Sequence, residues 1–219
     1  MRTMPPRIPT GQPARASAWF ASAAGQAVLA SETEAIRTAV AERPGQPWLC
    51  LTMAGVSLEP GGRGLLLQAT REGWGGPVRC AQPLPLANES VATVIVQHAA
   101  GGRGGAALLE ECARVLVPGG RLWLFALNPL SPYQLRWVGS RAGASEPSLW
   151  RRRLRAVGLM PEPVSHGLGP RWRVGVDPVL EQGPGLRAAW LMRAEKRAVP
   201  LTPLRARPVP RLGEGVPAA

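Results

Sequence analysis

The sequence predicts an α/β domain with a mostly parallel central sheet and helices on both faces. Three observations carry this. Ser90–Gln97 (SVATVIVQ) is a short apolar run rich in β-branched residues, the composition of a buried strand. Ala106–Leu116 (AALLEECARVL) is the clearest helix, and Pro118–Gly119–Gly120 breaks it. Arg121–Leu127 (RLWLFAL) is a second apolar strand. Strand, helix, Gly-rich stop and strand in that order describe a right-handed βαβ crossover. Near-continuous apolar strands fit a sheet covered on both sides.

The remaining elements follow along the chain. Residues 1–17 are rich in Pro, Arg and small side chains and read as a flexible basic arm. Ala18–Arg43 reads as one helix ending at Pro44–Gly45, with Trp19, Phe20, Val28, Leu29, Ile36 and Val40 on its apolar face. Trp48–Met53 and Gly64–Ala69 are strand candidates, and the segment between them has room for only a short or distorted helix. Pro83–Pro85 is a turn. A helix is expected at Ser148–Val157, a loop around His166, and a last strand at Arg187–Ala194. Residues 18–197 thus form the domain, and 198–219, with five prolines, read as a Pro/Arg-rich tail.

Composition narrows the chemistry. No uninterrupted apolar run reaches the about 18 residues of a membrane span, and the start of the chain does not read as a signal peptide, so a cytoplasmic location is expected. Cys50, Cys80 and Cys112 lie far apart in apolar settings, without a CxxC pair, and read as buried free thiols. Asp177 is the single aspartate, which argues against a Mg²⁺ cluster; no Walker loop, HExxH or GxSxG occurs. The net charge of +12 favours anionic partners. Arg151, Arg152, Arg153 and Arg155 beside Trp150 either grip RNA or another anionic surface or form the solvated face of a helix. A genomic preference for arginine accounts for the charge equally well.

Two runs carry a family likeness. Leu84–Ile95 (LPLANESVATVI) and Leu108–Leu122 (LLEECARVLVPGGRL) resemble the region around the fourth strand and following helix of class I S-adenosylmethionine (SAM)-dependent methyltransferases. Asn128–Arg136 (NPLSPYQLR) and Lys196–Arg205 (KRAVPLTPLR) resemble a bacterial group of methyltransferase type 11-like proteins. The likeness spans roughly residues 18–206 and implies a Rossmann-like fold with SAM at the carboxyl ends of the strands. The loop that should be acidic-x-Gly-x-Gly reads Leu51–Ser57 (LTMAGVS), where Gly55 alone is retained. Glycines there let the backbone approach the cofactor, and Ala54, Val56 and Ser57 place side chains in that space. The second strand ends in Gln68–Ala69–Thr70 rather than in an acid for the ribose, with Glu72 fitting only after a register shift.

The resemblance assigns Gly55, Gln82, Gln97 and His98 to the cofactor side. Asn128, Tyr133 and Trp137 are candidates for the substrate side. His98, after the strand, is a candidate general base or a pocket wall. Two functions stay open: a SAM-dependent methyltransferase of unknown acceptor, or a catalytically inactive methyltransferase-like pseudoenzyme serving as scaffold or subunit. Its partner would be an active methyltransferase, a second copy of the chain, or RNA.

Overall fold

Every residue of Val91–Gln97 is buried, which requires cover on both faces of the strand. The computed structural model describes residues 13–53, 61–70, 72–101, 104–139 and 144–197. Its elements are α1 (Pro13–Phe20), α2 (Ala23–Ala41), β1 (Trp48–Thr52), β2 (Gly64–Ala69), β3 (Trp74–Gly75), β4 (Val91–Gln97), α3 (Gly105–Val115) and β5 (Leu116–Leu127). A 3₁₀ helix (Pro132–Arg136), α4 (Pro147–Ala156), β6 (Leu159–Pro161), β7 (His166–Leu168), β8 (Glu181–Gln182) and β9 (Ala189–Lys196) follow. The sheet order is β3-β2-β1-β4-β5-β9-β7-β8, with β6 also paired to β9.

β2, β1, β4 and β5 are parallel. β9 is antiparallel to β5, from Arg121 opposite Glu195 to Leu127 opposite Ala189. Side chains alternate across β5 with the two-residue period of a strand. Trp123, Phe125 and Leu127 join Phe20, Val28 and Ile36 from α1 and α2 in one core layer. Leu122, Leu124 and Ala126 join Leu109 and Cys112 of α3 and Trp150 and Leu154 of α4 in the other. Each fully buried Leu, Ile or Phe in these layers contributes roughly 1.5–3 kcal/mol over an exposed one. The expected architecture, a Rossmann-like, mostly parallel sheet between two helical layers, is the one the chain adopts.

The expected single helix at the start is two helices. Ser22 caps α2, its Oγ accepting from the Gly25 amide and donating to the Trp19 carbonyl at 2.6 Å. A side chain at Gly25 would meet the Trp19 carbonyl and the Phe20 backbone, so α1 folds back on α2 only because this residue is glycine. α1 also begins at Pro13, inside the segment expected as an arm. Pro118–Gly119–Gly120 lies within β5 rather than before it. Leu116 pairs with Val91 and Arg121 with Thr93, so the extra residues bulge out, and Gly119 takes φ +75 there. His166, expected in a loop, opens β7, which short length hid. The last strand starts two residues later than expected, because Arg187 and Ala188 are used to anchor a loop.

Candidate functional site

The order of the strands places a crevice before any side chain is considered. From β1 the sheet grows outward to β2 and β3, and the chain returns to β4 on the other side of β1. In open α/β sheets the ligand cleft forms at this reversal, beyond the carboxyl ends of the strands. Thr52 ends β1, and Gln97 ends β4, with His98 next to it.

These residues form one buried polar chain with Glu32 of α2. Thr52 Oγ1 donates to Gln97 Oε1 at 2.8 Å, which orients the amide so that Gln97 Nε2 donates to Glu32 Oε2 at 2.7 Å. The other carboxylate oxygen, Oε1, lies 2.8 Å from His98 Nε2. His98 Nδ1 is buried and without a partner. Phe20 lies against the imidazole with ring centroids 4.7 Å apart, and the His98 amide donates to the Phe125 carbonyl at 3.0 Å. His98 has φ 55, unusual for a side chain with a Cβ. Such backbone persists only where neighbours over-determine it, and it concentrates at functional sites.

Glu32, Thr52 and Phe20 were not among the site residues expected from the sequence. The signal for Glu32 was present: it stands between Val28 and Ile36 at four-residue spacing, on the buried stripe of α2. A carboxylate on that stripe needs donors from across the sheet.

A separate cavity lies at the sheet edge, where β2 turns into β3. It has a volume of about 650 Å³ and is lined by Thr70, Glu72, Trp74, Gly75, Gly76, Arg79 and Cys80. Glu72 is exposed there, and its amide donates to Thr70 Oγ1 at 3.3 Å. β2 ends at Ala69, so the hairpin into β3 brings Glu72 to the end of the strand. Gln82 is exposed and does not line this cavity. Gly55 falls in 54–60, outside the described residues.

Asn128, Tyr133 and Trp137 are all buried, and their polar atoms are used within the chain. Asn128 Nδ2 donates to the Gly185 and Arg187 carbonyls at 2.9 Å each, and its Oδ1 accepts from the Leu130 amide. Tyr133 Oη donates to the Ala24 carbonyl at 3.1 Å, and burial raises its pKa. Trp137 meets Trp19 edge-on with centroids 5.6 Å apart. Tyr133 and Trp137 fasten the 3₁₀ helix to α2 and α1, and Asn128 fastens its start to the 184–187 turn, whereas Gln97 and His98 belong to the Glu32 chain.

The α4 arginines are only partly solvated. Arg151 donates to the Pro163 carbonyl at 2.9 Å, and the Arg153 guanidinium lies 5.0 Å from the centre of the Trp150 ring. Arg152 and Arg155 are exposed. Among the described residues no cluster of acids, histidines and cysteines could hold a metal, and no helix is long and apolar enough to cross a membrane.

No protein-family model matches the sequence, and no curated protein does. Solved structures do. A SAM-dependent methyltransferase from Thermotoga maritima superposes with a TM-score of 0.57 at 16% identity, over 82% of this chain and 94% of that one. A chain solved in complex with the Haloferax volcanii methyltransferase activator Trm112 superposes at 0.54 and 15% identity, over 86% and 99%. At these identities the likeness establishes the fold, which is that of class I SAM-dependent methyltransferases.

Proposed function

We propose that the chain binds SAM across the carboxyl ends of β2, β1 and β4 and is a methyltransferase. The cavity beside Glu72 carries this reading. It opens beside the carboxyl end of β2, where a solvent-facing carboxylate would accept from ribose hydroxyls with Thr70 beside it. SAM would supply a methyl group on a sulfonium, activated without any nucleophile from the protein. Glu72 and Thr70 would hold the ribose, and the Thr52–Gln97–Glu32 chain would wall the methionine side. His98, its ring fixed by Glu32 and covered by Phe20, would form part of the same wall.

Titration calorimetry with SAM tests this directly, with binding in the micromolar range expected. Glu72→Ala removes a charge-assisted acceptor worth about 1.5–3 kcal/mol, a roughly 10- to 100-fold loss of affinity. Absence of binding heat from the parent chain would reject the proposal.

The interlock itself favours a second reading. Thr52, Gln97, Glu32 and His98 are bonded to one another at the ends of β1 and β4, and on this reading their side chains would occupy ground a cofactor otherwise uses. On this reading the chain is an inactive scaffold for a protein partner or RNA. It predicts no SAM binding and an unchanged melting temperature on adding SAM.

A further inference from the structure

Nine of the twelve strongly exposed large apolar side chains among the described residues lie in three segments, 130–138, 172–180 and 186. Leu130, Leu135, Val138, Trp172, Val176 and Leu186 are 51% to 79% exposed. Single exposed apolar residues need no explanation, but a contiguous set marks an interaction surface.

Hydrogen bonds make the three segments contiguous. Arg136 Nη2 donates to the Trp172 carbonyl at 3.1 Å, and Ser131 Oγ donates to the Leu186 carbonyl at 2.9 Å. The loop carrying Trp172 is pinned from inside. Arg187, 4% exposed, bonds the Gly169 carbonyl and pairs with Asp177 and Glu181, and the Asp177 amide donates to Ser31 Oγ of α2 at 2.9 Å. The apolar side chains therefore point outward from an anchored frame and have no inward place to collapse.

The charge around them is net positive. Arg136, Arg171 and Arg173 are exposed within the patch. Its two acids, Asp177 and Glu181, are already engaged by Arg187, and Glu181 also by Arg171. The coupling to these arginines holds the Glu181 carboxyl below its usual range. Tryptophan and aliphatic side chains on loop tips, bordered by arginines, match the boundary between acyl chains and anionic headgroups. The 3₁₀ helix follows β5, and the Trp172 loop follows β7, which runs parallel to β5 because both are antiparallel to β9. The patch therefore lies at the same carboxyl end of the parallel strands as the Thr52–Gln97–Glu32 chain.

We infer that this face docks the protein on the surface of an anionic phospholipid bilayer. This holds whether or not SAM binds. Sedimentation of the full chain with vesicles of equal parts phosphatidylglycerol and phosphatidylcholine tests it. The chain is expected to sediment with these vesicles, weakly with pure phosphatidylcholine, and less as salt rises. Combining Leu135→Ser, Val138→Ser and Trp172→Ser, which leaves every charge in place, should weaken vesicle binding by about tenfold or more with an unchanged melting temperature. Replacing Arg152 and Arg155 of α4 with Gln should leave most of the binding. The inference is overturned if the chain stays in solution with anionic vesicles, if the triple variant binds as tightly as the parent, or if only the α4 variant loses binding. A parent chain that ignores vesicles but is a dimer in light scattering, with the triple variant monomeric, would assign the face to a second copy instead.

Discussion

Glu32 is a fully buried carboxylate in the middle of a helix, and its partners explain why it is tolerated. It accepts from Gln97 and His98, and Gln97 is held in turn by Thr52. Glu32→Ala would strand two buried polar side chains, so a loss of about 3–5 kcal/mol is expected in urea unfolding. Glu32→Gln keeps an acceptor and the volume, and should lose clearly less. The cysteines make a separate prediction at this scale. Burial pushes the Cys50 thiol up to about 12 and raises Cys112 as well, and both lie in the core. Cys80 is half-buried beside the Glu72 cavity and its thiol is also raised by desolvation. A thiol reagent at neutral pH should therefore label Cys80 slowly in the folded protein and all three cysteines after denaturation. Slower labelling of Cys80 in the presence of SAM would place the ligand in that cavity.

At the scale of elements, α3 fastens the loop that leads into β4. Arg114 donates to Glu111 through Nε and Nη2, both at 2.9 Å. It also donates to the Leu84 and Leu86 carbonyls and to Asn88 Oδ1, while Glu111 accepts from the Leu84 amide at 2.8 Å. This contact joins the two runs, LPLANES and LLEECARVL, on which the family likeness rested. The same pairing with Arg114, aided by the Leu84 amide, lowers the Glu111 pKa. A carboxyl lowered in the folded state stabilises fully above the ordinary carboxylate range, and that contribution is lost as pH falls through the folded value. Arg114→Ala should lower stability by about 1–2 kcal/mol near neutrality. Its deficit against the parent should shrink in urea unfolding at progressively lower pH. Glu111→Gln should likewise flatten the acid limb of the parent's stability curve.

Across the whole molecule, the sequence by itself determined the sheet and its covering. β1, β2, β4 and β5 follow from apolar runs bounded by turn residues, and α3 and α4 from apolar spacing at helical period. These signals are local, so one stretch of chain carries each. β3, β6, β7 and β8 were not legible, being only two or three residues long, with β6 and β7 also held by β9, distant in the chain. The candidate site divides along the same line. Gln97 and His98 could be placed at the end of a strand from sequence, but their acceptor, Glu32, is 65 and 66 residues away. Glu72 sat out of register in the sequence and reaches the end of β2 only through the turn into β3. Asn128, Tyr133 and Trp137 are polar or aromatic residues after a strand, a pattern that suits a pocket and an internal clasp equally. The tertiary structure shows a clasp, since the groups they satisfy or cover come from α1, α2 and the 184–187 turn. Periodicity fixes which faces must be buried; which polar groups then meet is settled only when distant segments close over them.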